Sequence, residues 1–325
     1  MRRSISGSKV PERRVDESPH TMVNGRGGGR RYAGSMDTAT TGPVTVFCDD
    51  QAVLAESIVW SPTERVLRWT DITLGTLTTA AADGTVRSVV PLPPPLASFQ
   101  PRATGGFVAA LGDTVVLTDA DGVVERELAR VQHATAGIRF NEGKCDPFGR
   151  FVVGSMDLGG DDPAGALYAI EPDGTVRILR GGFGVANGFE WTGDGSEMFV
   201  TDTSTSTIYR AAYGPDGVLG ELLPFISGAA HDGLVRDDED CLWTAVYGAG
   251  RVERWGPDGT HLETVEVPAP NVTSVAFGGE DLSTLCIGTA RENLAEDDLE
   301  RYPHSGAVFA VPTRVHGFPA NTFSG

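Results

Sequence analysis

The chain has 325 residues, 40% of them hydrophobic, and a formal net charge of −18 at pH 7. That balance argues against binding to nucleic acid or to an anionic membrane surface, and there is no run of about 18 apolar residues to serve as a transmembrane helix. The length suits an enzyme-sized domain with a large core.

The first 43 residues stand apart. Residues 1–31 hold eight Lys/Arg against three Asp/Glu, and Gly25, Gly27, Gly28 and Gly29 alternate with Arg26, Arg30 and Arg31 in a low-complexity run. Such a segment buries too little apolar surface to fold. Arg2-Arg3 lacks the apolar stretch that an export signal requires. The expectation is a disordered basic extension over residues 1–43, with Met36 as an alternative start, and a single folded domain over 44–325.

From residue 44 onward the pattern is short strands and tight turns. Val44-Thr45-Val46-Phe47 reads as a strand. Turn signals recur at Ala82-Asp83-Gly84, Asp121-Gly122, Pro172-Asp173-Gly174, Gly193-Asp194-Gly195, Pro215-Asp216-Gly217 and Pro257-Asp258-Gly259, where Asp-Gly supplies the backbone that hairpins need. Between them lie β-rich runs, among them Phe151-Val152-Val153, Met198-Phe199-Val200-Thr201, Leu242-Trp243-Thr244 and Leu285-Cys286-Ile287. One short acidic stretch, residues 295–301, reads as helix. A repeat of roughly 40–50 residues, each unit a small sheet, is the mark of a propeller. The fold expected is all-β: a six-bladed β-propeller of four-stranded antiparallel blades around a central channel. The strand at 44–47 completes the last blade and closes the ring, removing exposed sheet edges.

One phase of that repeat is polar. Glu56, Asn141, Asn187 and Asp232 each sit just before a strand–turn–strand unit. The last three are 46 and 45 residues apart, and Glu56 lies 85 before Asn141. Residues at one phase converge on one end of the channel, so two carboxylates and two amides would gather there and suggest a bound cation. Taken singly, Asn187-Gly188 and Asp232-Gly233 are turns more often than ligands; the shared phase overturns that reading. His231 reads as a loop residue or a neighbour of the site, not as a ligand.

The segments Leu54-Ala55-Glu56-Ser57-Ile58-Val59-Trp60, Arg139-Phe140-Asn141-Glu142-Gly143, Gly154-Ser155-Met156, Ala186-Asn187-Gly188-Phe189, His231-Asp232-Gly233-Leu234 and Thr289-Ala290-Arg291 occur in a fixed order at blade spacing. In these the chain resembles the SMP-30/gluconolactonase/luciferin-regenerating-enzyme family over residues 44–312. The resemblance implies a cation-dependent sugar lactonase. Its metal ligands would be Glu56, Asn187 and Asp232. Its substrate contacts would be Arg139 and Asn141, with Glu142 in the same segment. Asp232 would be the catalytic residue, as the base for water or as a ligand that orients it. Oxygen-only ligands suit one divalent cation of the hard type: Ca²⁺ first, with Mg²⁺, Mn²⁺, Zn²⁺ or Fe²⁺ also able to bind. Such an ion polarises an ester carbonyl and acidifies bound water.

The chain departs from the family pattern in four places. Glu142 stands for the family's Asp, and Ile58 for a Pro. Gly159 lies near the place where animal members carry a substrate-reaching acid after the Gly154-Ser155-Met156 segment, and His231 replaces a common Pro. The same residues allow two other readings: a non-catalytic propeller with a structural cation that binds a partner, and an aryl-ester or organophosphate hydrolase using the same site. The polar pair Arg139 and Asn141 beside the ligands favours the lactonase. The sequence has no C-x-x-C pair, P-loop, H-E-x-x-H or G-x-S-x-G. Four cysteines without a pairing signature read as buried thiols in a reducing cytoplasm. Oligomeric state is left open.

Overall fold

The computed structural model describes residues 38–159 and 163–325. Its 24 strands form six four-stranded antiparallel sheets, the expected six-bladed β-propeller. The inner strands of blades 1 to 6 are Ala55–Ser61, Leu96–Pro101, Ile138–Cys145, Ala186–Trp191, His231–Arg236 and Asn271–Gly278. Blade 6 takes its outermost strand, Thr45–Cys48, from the start of the domain, paired with Val308–Pro312. The ring is thereby closed by a strand from each end of the chain.

Several hairpin turns are shaped by an acid of their own. The carboxylates of Asp83, Asp173, Asp194 and Asp258 each accept the N–H two residues on, at 2.8–3.0 Å, and Gly84 and Gly259 take φ near +80°. The core is not central. Six apolar clusters lie one in each gap between neighbouring blades, for example Phe199, Ile208 and Ile226 of blade 4 against Leu234 and Leu242 of blade 5. The blades are wedges held by these contacts, and the channel between their inner strands is left to polar residues. The acidic stretch forms one helix, Glu296–Arg301. Among the described residues no helix is long and apolar enough to cross a membrane.

Of the expected extension over 1–43, residues 1–37 lie outside the described residues. The remainder is packed on the propeller. Ala39 is fully buried and its N–H donates to Glu263 at 2.6 Å, and Thr40 bridges to Thr313. Contact with the propeller therefore starts before residue 44.

Buried acids staple the blades. Asp237, fully buried, accepts from Arg254 Nε at 2.8 Å, Trp243 Nε1 at 2.9 Å and the Cys241 N–H at 3.0 Å. Asp146 in blade 3 does the same for Arg150 Nε at 2.6 Å and the Tyr213 hydroxyl at 2.7 Å. Removing one partner of a buried pair leaves the other uncompensated. Asp237→Ala is expected to cost about 3–5 kcal/mol and to lower Tm by about 10 °C, read by thermal melting; a shift of a degree or less would contradict this.

The C-terminal segment was not anticipated as a structural element. Past blade 6 it runs beneath the channel. Phe318 lies under the Arg236 guanidinium at 4.1 Å, Asn321 Nδ2 donates to Cys145 O at 3.1 Å, and fully buried Phe323 bridges to Arg102. Residues 318–321 cover a cavity of about 140 Å³ at the far ends of the inner strands, lined also by Trp60, Gln100 and Lys144.

Candidate active site at the open end of the channel

All six inner strands run in the same direction. Asn141 Nδ2 donates to Ala186 O on the next blade, and Lys144 Nζ donates to Phe189 O and Leu234 O on the next two. Each inner strand carries a register break near its beginning. A bulge re-aims side chains. Glu56, Asn141, Asn187 and Asp232 sit at these breaks, all buried. Blade 2 offers Ala97 and Ser98 at its break, and blade 6 offers Thr273 and Ser274. Blade 2 thus lacks a carboxylate or amide at this phase, which accounts for the double step from Glu56 to Asn141.

The Asn-Gly and Asp-Gly pairs are strand residues, not turns. Their glycines serve close approach between blades. A Cβ on Gly188 would lie 2.2 Å from Asp232 O, and one on Gly233 would lie 2.9 Å from the Ser274 Cα. Gly188→Ala is therefore expected to cost about 1–3 kcal/mol in stability and, by pushing on the Asp232 backbone, about 100-fold in activity. A variant melting like the parent with full turnover would refute this use of the glycine.

Hydrogen bonding fixes which way the site residues face. The Thr203 hydroxyl donates to His231 O at 2.7 Å, so its oxygen is left to accept from Asn187 Nδ2 at 3.2 Å. Asn187 Oδ1 is then turned away from Thr203, and it is buried with no hydrogen-bond partner. Asp232 Oδ1 is buried and unpartnered as well. Two such oxygens in one channel are costly unless something positive meets them.

The electrostatics agree. Burial pushes the Glu56 carboxyl well above the usual range, and the Asp232 and Glu142 carboxylates push it further; the Ser57 N–H and Arg139 oppose this. Asp232 is raised by burial and by Glu142, against a hydrogen bond from Asn187. Glu142 is raised by burial to about 7, with Lys144 and the Gly143 N–H opposing. Among the described residues no three His, Cys, Asp or Glu side chains form a ligand group. The donor set that fits a cation is mixed: carboxylates of Glu56 and Asp232 with the amide oxygen of Asn187. Hard divalent ions accept such a set.

Arg139 and Asn141 are joined. Arg139 Nη1 donates to Asn141 Oδ1 and to Phe140 O, both at 2.8 Å. The Nε and Nη2 donors have no partner among the described residues. Burial lowers the Arg139 pKa, offset by Glu292 and then Glu56. Glu142, with its longer side chain, acts on both Glu56 and Asp232, so its charge belongs to the centre of the channel. Asp157 is turned to its own loop, accepting the Gly159 N–H at 2.9 Å.

His231 lies in an inner strand, not in a loop. Its ring is fully buried against Trp255, Nδ1 lies 3.4 Å from the Thr244 hydroxyl, and burial takes its pKa down to about 4. Its neighbour Asp232 faces the other way, as strand alternation requires, and the His231 contribution to the site is its carbonyl on Thr203.

Sequence reasoning missed Thr203, Lys144, Tyr247 and Glu292. Thr203 follows the Asp202 turn, and Glu292 lies one residue past the last matching segment. Nothing in either local pattern marks it as part of a site.

The sequence profile of the SMP-30/gluconolactonase/LRE-like region matches residues 54–291. The chain is 37% identical over 280 residues to a 6-deoxy-6-sulfogluconolactonase of Pseudomonas putida, covering 84% of this chain and 96% of that protein. It is 30% identical to an L-arabinolactonase of Azospirillum brasilense, covering 87% and 96%. Among solved structures, the calcium-binding protein regucalcin from Agrobacterium tumefaciens superposes with a TM-score of 0.82 at 28% identity, covering 88% of this chain and 99% of that one. The chain belongs to the SMP-30/gluconolactonase/LRE-like family.

Proposed function

We propose that this member of the SMP-30/gluconolactonase/LRE-like family is a divalent-cation-dependent hydrolase that opens a sugar lactone. The single observation that carries the reading is the pair of buried, unpartnered oxygens, Asn187 Oδ1 and Asp232 Oδ1, beside raised Glu56. Relatives named as lactonases supply the substrate class.

Glu56, Asn187 and Asp232 would hold the cation, Ca²⁺ by preference since the donors are all oxygen. When bound, such an ion supplies Lewis acidity to an ester carbonyl and lowers the pKa of water. The rest falls to the chain's own groups. Arg139, anchored through Nη1, presents its remaining donors to ring oxygens of the substrate, and Asn141 keeps a lone pair and one N–H for a hydroxyl. Glu142 keeps a third carboxylate at the centre of the channel, where it can hold an ordered water or a substrate hydroxyl. Asp232, besides giving Oδ1 to the cation, can orient the attacking water or take its proton. Lys144 closes the floor below these acids by capping two backbone carbonyls and pairing with Glu190 at 2.9 Å. We place the enzyme in the cytoplasm, since its four cysteines are free and buried.

The test is proton release from D-glucono-1,5-lactone by chelator-treated protein, before and after addition of Ca²⁺. Hydrolysis above the spontaneous rate that requires added cation supports the reading. Tight cation binding without turnover of any sugar lactone would overturn it and favour a binding propeller or a different ester.

A further inference from the structure

Three consecutive blades build a hydrogen-bonded arc over the open end of the channel. Glu292 follows the second strand of blade 6, Thr284–Ala290, and Tyr247 follows the second strand of blade 5, Leu242–Val246. The Thr73 hydroxyl of blade 1 donates to Glu292 Oε2 at 3.1 Å. Asn293 Nδ2 donates to the Tyr247 hydroxyl at 3.1 Å and more weakly to Glu292 Oε1 at 3.4 Å. Asn271 Nδ2, buried at the head of the blade 6 inner strand, donates to Glu292 O at 2.7 Å. Thr73 and Asn293 thus hold the Glu292 carboxylate at the rim, and Asn271 holds its backbone.

The arc lies at the same end of the channel as the site, because in these antiparallel blades the second strand ends where the inner strand begins, and Asn271 ties Glu292 to the head of an inner strand. Blade 6 stands opposite blade 3 in a six-membered ring, and blade 3 carries Arg139. Glu292 is nevertheless the acid with the largest influence on the Arg139 guanidinium, ahead of Glu56. Tyr247 lies in the field of Glu292, Asp232 and Glu56 together. A small ring above the Glu56, Asn187 and Asp232 oxygens would lie between forked donors on one wall and a fixed carboxylate on the other.

We infer that Glu292 is a specificity-determining residue. It accepts hydroxyls of a neutral polyhydroxy lactone from the wall opposite Arg139, and it turns away lactones that bear a phosphate. The inference rests on the lactonase reading and narrows its substrate class. Each Glu292 oxygen has one protein donor, at 3.1 and 3.4 Å, and a further lone pair for a substrate hydroxyl. A carboxylate accepts such bonds about twice as strongly as a neutral group. The same charge repels an anion entering the mouth of the channel. With Glu56 and Asp232 engaged at the cation, Glu292 adds to Glu142 a second free carboxylate, placed at the rim where a substituent on the ring would enter.

The experiment compares D-glucono-1,5-lactone with its 6-phosphate in wild type and Glu292→Gln, both loaded with Ca²⁺. Binding of the non-hydrolysable D-glucono-1,5-lactam by calorimetry gives a readout free of turnover. Wild type is expected to favour the neutral lactone by at least about tenfold in kcat/KM. Glu292→Gln should lower neutral-lactone kcat/KM and lactam affinity by about fivefold and narrow the neutral-to-phosphate ratio by about the same factor. The substitution conserves size, and Ca²⁺ affinity and Tm should stay at wild-type values. Equal turnover of both lactones by wild type, or a ratio unmoved in Glu292→Gln, would overturn the inference while the lactonase reading stands. Turnover of neither lactone would overturn that reading and this inference with it.

Discussion

Asp232→Ala should abolish lactone hydrolysis, lowering kcat/KM by about 10³–10⁴-fold or to the spontaneous rate. The side chain is asked to do two things. One is to present Oδ1, buried and without a partner, to a cation. The other is to take a proton from water. Alanine removes both, and Asp232→Asn separates them. The amide keeps an oxygen of the same reach and loses the basic site. Asp232→Asn should therefore bind Ca²⁺ more weakly than wild type yet measurably, and still fail to turn over when saturated. Turnover by cation-saturated Asp232→Asn within about threefold of wild type would show that Asp232 is a ligand alone, because a lost general base costs at least about 100-fold. Full activity in Asp232→Ala would remove it from the site altogether.

The second large effect is on stability, and its sign is unusual for a change at a buried residue. Without a cation, Glu56 and Asp232 share the channel with Glu142, and burial together with like charge disfavours their ionised forms. The fold tolerates that cost for the sake of binding. Glu56→Gln keeps the shape and removes one of the charges. Chelator-treated Glu56→Gln should therefore melt above chelator-treated wild type. Relief of a buried, unbalanced charge is worth about 1–3 kcal/mol, or roughly 2–8 °C in Tm. Calcium should raise the Tm of wild type and leave that of the variant nearly unchanged. A chelated variant that melts below chelated wild type would show that Glu56 is a structural acid with a protein partner, and would remove it from the donor set.

Both predictions depend on features that the sequence disclosed unevenly. The propeller was legible because each blade repeats the same local chemistry. An Asp that accepts the N–H two residues on, followed by Gly, makes a hairpin wherever it occurs, and Asp83, Asp173 and Asp258 were recognisable for that reason. The convergence of Glu56, Asn141, Asn187 and Asp232 was legible because equal phase in a closed ring means equal height in the channel.

The local setting of those residues was not legible. Asn187-Gly188 has the composition of a turn, and only the adjacent inner strand, with Asp232 O 2.2 Å from where a Cβ would be, explains the glycine. The bulges that aim the four side chains arise from pairing register between strands, which leaves no local signature. The orientation of Asn187 depends on Thr203 and the His231 carbonyl, 16 and 44 residues along the chain. Glu292 owes its place to Thr73 of blade 1 and to Asn271 of its own blade, 219 and 21 residues away. The segment over 318–323 reads as an ordinary loop, and its role beneath the channel comes from Phe323 being buried against blade 2.

The most direct test of the central claim is a titration of chelator-treated protein with Ca²⁺, with bound ion and lactone-dependent proton release measured on the same samples. The account predicts one ion per chain, with hydrolysis rising in proportion to occupancy and absent from Asp232→Ala. Hydrolysis at full rate in the ion-free protein, or a saturated site that leaves the lactone intact, would contradict it.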